Sequence, residues 1–222
     1  MTRADLLNAA SFVEAAVDTL SQAVPAAGET GAEFRRLAGD LSSNARARIE
    51  AGIACTAFAG IVDAAVACGA DITELDGARA TVSTSEAFGD LAGRLRSTFA
   101  LLLLVAEAGI VADTTFVSRD QVDSTKARLS SAFGGAIDAA SDAGDLDSFR
   151  ALVALHGALV RDLVARSRPL PRMTAFDFGE RVPALWLANR LYGDADRAAE
   201  IIAENGIVHP LFAPGAGRAL SA

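Results

Sequence analysis

Lysine is almost missing from this sequence: the basic side numbers 20 residues, and only Lys126 among them is not arginine. Against 28 acidic residues this leaves a net charge of −8. Stable duplex binding rests on a concentrated cationic surface that neutralises phosphates, so no stable nucleic-acid ligand is expected. Aromatic residues are scarce, with one Trp and one Tyr, while 51% of the chain is apolar and much of that is alanine. The interior is therefore expected to be helix packed closely on helix.

Cysteine is equally sparse. Cys55 and Cys68 fall in one helical pattern, which separates them by about 20 Å at about 1.5 Å per residue. They cannot pair within that helix and read as small buried hydrophobes in a reducing compartment. Neither Cys-x-x-Cys nor a metal-ligand cluster occurs, so no metal and no cofactor is expected. The start, Met-Thr-Arg-Ala-Asp, becomes amphipathic at once without an apolar h-region, the pattern of a chain made and folded in the cytoplasm. The longest apolar run, Phe99 to Ala106, is cut by Glu107. It falls short of the roughly 20 residues a bilayer needs and predicts a buried central helix and no membrane span.

Along residues 1–168 the pattern is one of successive helices. Asp5 to Val24 forms the first, with Leu6, Val13, Val17 and Leu20 on one side, Pro25 as its stop and Gly28 to Gly31 as a turn. Glu33 to Cys68 carries apolar residues at helical spacing and predicts one long helix with a kink near Gly39 to Asn44, and a small-residue stripe at Gly52, Ala59 and Ala64. A further helical stretch, Asp76 to Ala108, follows, with a break near Thr81 to Ser85 and Gly109 as terminator. Ser118 to Ala143 and Asp145 to Arg166 predict an antiparallel pair, with Ser118 and Gln121 in a capping-box pattern and Asp145 as the second cap. Arg161, Arg166 and Arg168 gather where cations offset the helix dipole.

Arg168-Pro-Leu-Pro-Arg-Met breaks the helical pattern with two prolines, which favours an extended course. The expected organisation is a helical domain over 1–168, a Pro-rich linker over 169–175 and a small C-terminal module over 176–222. Pro169 to Thr174 is then the stretch expected to be most open to proteases.

No catalytic constellation can be assembled, and the chain is not expected to be an enzyme. His156 and His209 have no Ser or Cys at triad spacing; the first suits packing and the second a turn that bonds the backbone. Asp177-Phe178-Gly179 lacks every other kinase element. Glu200 and Glu204 share one turn of one helix facing solvent, where a general acid gains no desolvation.

The informative segment runs from Leu185 to Gly215. Leu187, Leu191 and Tyr192 give a short helix its apolar face, Gly193 ends it, Asp194 caps the next, and Ile201 with Ile202 buries that one. Asn205-Gly206 allows a positive-φ turn, and Pro210 with Pro214-Gly215 fixes a loop return. Trp186 completes the densest apolar cluster of the segment.

The residues Leu191-Tyr192-Gly193-Asp194, Arg197-Ala198, Glu200-Ile201, Asn205, Ile207, His209-Pro210, Phe212 and Pro214-Gly215 resemble the end of the Mu-like phage DNA-circulation proteins. Those are usually regarded as tail or baseplate hub components. More distantly, the segment is similar to the lysin-motif (LysM) module, although Phe178 to Pro183 stands where that motif has its opening strand and turn.

The resemblance implies a mainly α protein: a multi-helix bundle followed by a small degenerate LysM-like (βααβ) module. It further implies a structural virion protein of a contractile phage tail, at the baseplate hub or the tail-tube end, assembled in the host cytoplasm. Its partners would be tube, hub and spike proteins and further copies of itself, as a trimer or hexamer. The residues expected to form the docking module's core and turns are Trp186, Leu191, Tyr192, Gly193, Asp194, Ile201, Asn205, His209 and Pro210. The rival reading is a peptidoglycan-binding protein that uses the module as a lysin motif.

Overall fold

The computed structural model describes residues 2–221. Among them the chain is mainly helical, with one two-stranded sheet near the C-terminus. By contacts it divides into two compact units: Met1–Thr114 with Asp138–Asp142, and Thr115–Ile137 with Ala143–Ala222.

The first unit holds α1 (Arg3–Ala23), α2 (Gly28–Ser43), α3 (Ala45–Glu50), α4 (Ala54–Ala67), α5 (Ile72–Thr84) and α6 (Asp90–Asp113). Thr2 and Asp5 close a capping box around the start of α1, and Asp71 with Glu74 does the same for α5. Each box satisfies two helix N–H groups that have no partner inside the helix. The unit's core is α6 packed against α1, α4 and α5. Phe58 and Phe99 stack there with ring centroids 3.8 Å apart, and Phe12 leans on Phe99 at 5.8 Å.

Several boundaries differ from the sequence reading. Gly28 has φ +69 but opens α2 rather than making a turn. The long helix expected over Glu33 to Cys68 is three, interrupted at Asn44 and again at Ala51 to Ile53. Gly52, at φ +72, reverses the chain there, a conformation in which an L side chain is strained, so Gly52 belongs to no small-residue stripe. Gly109 does not end α6, which runs on to Asp113 because Val111 continues its buried face. At 24 residues, α6 is long and apolar enough, by those two measures, to cross a membrane. The same helix carries the fully buried Glu107, whose carboxylate accepts from Arg79 Nε at 2.7 Å; Arg79 is also paired with Asp76 on α5.

The second unit contains most of α7 (Arg119–Asp142) and all of α8 (Leu146–Ser167), followed by the sheet and the short helices. α7 and α8 run antiparallel: His156 stacks on Phe133 at 5.4 Å and hydrogen-bonds Ser130 Oγ at 3.0 Å, while Arg119 reaches the carbonyls of Ser167 and Arg168 at the far end. Ser118 Oγ accepts from the Gln121 N–H, but Gln121 returns its carbonyl oxygen to the Val117 N–H instead of to Ser118. Asp145 caps α8 through the Ser148 N–H and hydroxyl.

Those bonds to Ser148 hold the Asp145 carboxyl below its ordinary value, as bonds to Thr2 do for Asp5. A lowered folded value means that the contribution is fully present above the unfolded value of about 3.9 and is lost as pH falls through the folded one. Acid titration followed by far-UV circular dichroism should therefore show helix stability declining below about pH 4, with a shallower decline in Asp145→Asn. An identical acid limb in that variant would remove the cap from the explanation.

The expected linker 169–175 lies inside this second unit. Its final residues, from Met173, are already strand, and its backbone is well bonded. Pro171 O accepts from the Arg119 N–H at 2.9 Å, the Met173 N–H donates to Asp120 at 2.7 Å, and Arg172 exchanges bonds with Ser221. Few backbone groups are left for a protease to engage. The connection 85–89, with Phe88 exposed, is the better substrate. Limited chymotrypsin digestion should cut after Phe88 before it cuts after Met173; the reverse order would restore 169–174 as the weak point.

Candidate functional site

The segment singled out by its motif folds as strand, helix, helix, strand. β1 (Met173–Asp177) pairs antiparallel with β2 (Ala216–Leu220), Phe176 opposite Gly217, and between them lie α9 (Ala184–Tyr192) and α10 (Ala198–Glu204). The opening strand thus precedes the Phe178–Pro183 stretch. That stretch is pinned to the loop before β2 by the Phe178 N–H on Gly215 O at 2.7 Å and by a Val182–Ala213 bridge. Pro183 is not in a strand and instead sits at the N-cap of α9.

The core comprises Phe176, Ala184, Leu187, Ala188, Ala198, Ile201, Ala213 and Ala219, with Leu191, Tyr192, Ile202 and Ile207 packed around it. Because so many of these are alanine, Ile201 and Leu187, both fully buried, supply a large share of the apolar area.

The expected turn residues are structural. Gly193, at φ +70, is the left-handed cap of α9, its N–H on Asn189 O; a side chain there is strained. Asp194 accepts from the Asp196 N–H at 2.9 Å and starts a single 3-10 turn, Ala195–Arg197, that leads into α10. Asn205 donates to Ile201 O at 2.9 Å and Arg218 O at 2.7 Å and accepts from the Arg218 N–H at 2.8 Å, tying the end of α10 to β2. Any side chain at Gly217 would collide with Asn205 and Phe176. His209 Nδ1 accepts from the Leu211 N–H at 3.4 Å, with Pro210 opening the 3-10 turn Pro210–Phe212.

Tyr192 does more than its place in an apolar pattern suggests. Its hydroxyl accepts from the Leu220 N–H at 3.1 Å, and the Arg197 guanidinium lies 3.8 Å from its ring centroid while forking onto Glu200 at 3.0 and 2.8 Å. Burial raises the phenol above its ordinary value, opposed by the bond from Leu220. The Arg197 hydrogen bond holds Glu200 low, and Glu204 is paired with Arg218 at 3.3 Å.

Trp186 is the correction. It lies outside the core, 45% exposed, its ring edge-on to Phe178 at 5.3 Å. Ala184, Leu187, Ala188 and Leu191 take the inward positions of α9, so Leu185 and Trp186 fall on the outer face. Leu211 and Phe212 are exposed too, and α9 contacts their 3-10 turn. Leu185, Trp186, Leu211 and Phe212 are thus exposed apolar side chains on α9 and on the turn that contacts it. Leu185 and Leu211 escaped the sequence reading; the only available signal was their displacement from the inward positions.

Among the described residues no group of three or more His, Cys, Asp or Glu side chains could hold a metal ion. Protein-family models give no match to this chain, and no curated protein matches it significantly in sequence.

Proposed function

We propose that this chain is an assembly component of a contractile, Mu-like phage tail or related particle, placed at the baseplate hub or the tube's end, and that its work is docking rather than turnover. One observation carries the reading. Residues that carry the resemblance to the phage proteins cap, turn and clamp a strand–helix–helix–strand module (Gly193, Asp194, Asn205 and His209) or fill its core (Ile201). Such a module presents Leu185, Trp186, Leu211 and Phe212 outward, and aromatic anchors of this kind dominate protein interfaces. Tube, hub or spike proteins would be the neighbours, and self-association would supply the symmetry.

The test is particle composition. The chain should co-purify with density-banded particles in fixed ratio to tail proteins, and its deletion should leave heads without complete tails. A Trp186→Asp, Phe212→Asp double variant should stay folded yet be excluded from the particle. Absence of the wild-type chain from purified particles would overturn the reading. Co-sedimentation with purified peptidoglycan, lost in the double variant, would replace it by wall attachment.

A further inference from the structure

α8 carries two apolar stripes. One, Leu152, Leu159 and Leu163, is buried on the side that meets α7, where His156 stacks on Phe133. The other, Leu146, Phe149, Val153, Gly157, Val160 and Val164, recurs at helical spacing roughly 100° further round at 3.6 residues per turn. In the folded chain Leu146, Val153 and Val164 of this stripe are exposed, Leu146 at 54% and Val153 at 45%, while Phe149, Gly157 and Val160 are half-buried. A helix with two such stripes has the pattern of a bundle member with two neighbours, and α7 lies on the side of the first.

The edge of the open stripe identifies the other. Arg150, Arg161 and Arg168 lie along its outer border, all exposed and in no ion pair among the described residues. This is a local cationic rim on a chain of charge −8. A second copy of α8 fits poorly. Antiparallel pairing centred on the stripe sets Arg150 against Arg161, and parallel pairing sets each arginine beside its own counterpart. Like charges so placed disfavour association.

We propose that the open stripe of α8 is the seat for an amphipathic helix of a protein partner, apolar along its buried face and lined with carboxylates along the edge that meets Arg150, Arg161 and Arg168. The proposal is independent of the tail assignment, since it concerns a surface outside the C-terminal module.

Two labelled synthetic helices test it on the full chain: a Leu/Ile-striped peptide flanked by Glu, and the same peptide flanked by Lys. By fluorescence anisotropy at low salt the Glu peptide should bind about tenfold or more tightly than the Lys peptide, and the preference should shrink as salt rises. Val153→Asp, at an exposed position where circular dichroism should stay unchanged, should abolish binding of both. Arg150→Glu with Arg161→Glu should invert the preference. Equal binding of the two peptides, or binding indifferent to Val153→Asp, would overturn the proposal. So would a dimer of the chain alone that Val153→Asp dissociates, which would make the occupant a second copy. Binding to phosphatidylglycerol vesicles without binding to the Glu peptide would likewise replace the partner by a lipid surface.

Discussion

Ile201→Ala should unfold the C-terminal module at temperatures where the wild type is intact, with a loss of about 2–5 kcal/mol. Ile201 is fully buried among alanines, and neighbours that short cannot close over the missing methyl groups, so the cost should lie toward the upper end. A unit this small has little stability in reserve. Trp186→Ala is the matched contrast, because that ring is half in solvent and its loss should cost about 1 kcal/mol or less, in the ordinary range for surface positions. Denaturant melts with amide resonances of Asn205 and Leu220 as local probes check both. Equal losses at the two positions would mean that Trp186 belongs to the core after all. Because Asp120 and Arg119 bond the stretch that leads into β1, unfolding the module should also loosen the start of α7.

Arg79→Ala should rank with the most damaging single changes in the first unit, at about 3–5 kcal/mol. Glu107 is fully buried on α6, and Arg79 on α5 brings its compensating cation to 2.7 Å. Removing the arginine leaves a carboxylate in a poorly polarisable interior without that charge. Replacing both partners, Arg79→Met with Glu107→Leu, should recover most of the loss, since an apolar pair of similar volume carries no desolvation cost. Urea melts of the two variants decide the matter. A loss below about 1 kcal/mol for Arg79→Ala would place the pair with ordinary exposed salt bridges.

Much of this arrangement could be read from the sequence, and the parts that could not share a physical reason. Local chemistry was legible. Gly193 needs only a left-handed backbone, Asp194 and Asp145 only a nearby N–H, and each does the work its position suggests. What escaped depends on partners distant in sequence. Gly109 has the form of a stop, yet α6 continues because Val111 is buried. Periodicity ran across Gly52, where the chain turns. The prolines of 169–171 announced a linker, and they do break the helix, but the bonds from Arg119 and Asp120 that hold the segment come from residues some fifty positions earlier. The exposure of Trp186 followed from which side of α9 faces α10 and the module's core, and no local rule sets that. Function was legible only through the resemblance at the C-terminal motif, and the geometry adds the surface that such a module offers.

The pairing of β1 with β2 has a consequence in time. The two strands are separated by the whole of the module, so β1 leaves the ribosome and waits, at a synthesis rate of about 5–20 residues per second, until β2 has been made. The α7–α8 hairpin needs only neighbouring contacts and can form early, whereas closure of the sheet is non-local and correspondingly slow. The Val182–Ala213 bridge that brings Phe212 beside α9 forms in this late step. The arrangement of Phe212 beside α9 is therefore completed late in synthesis, once residue 213 has been made.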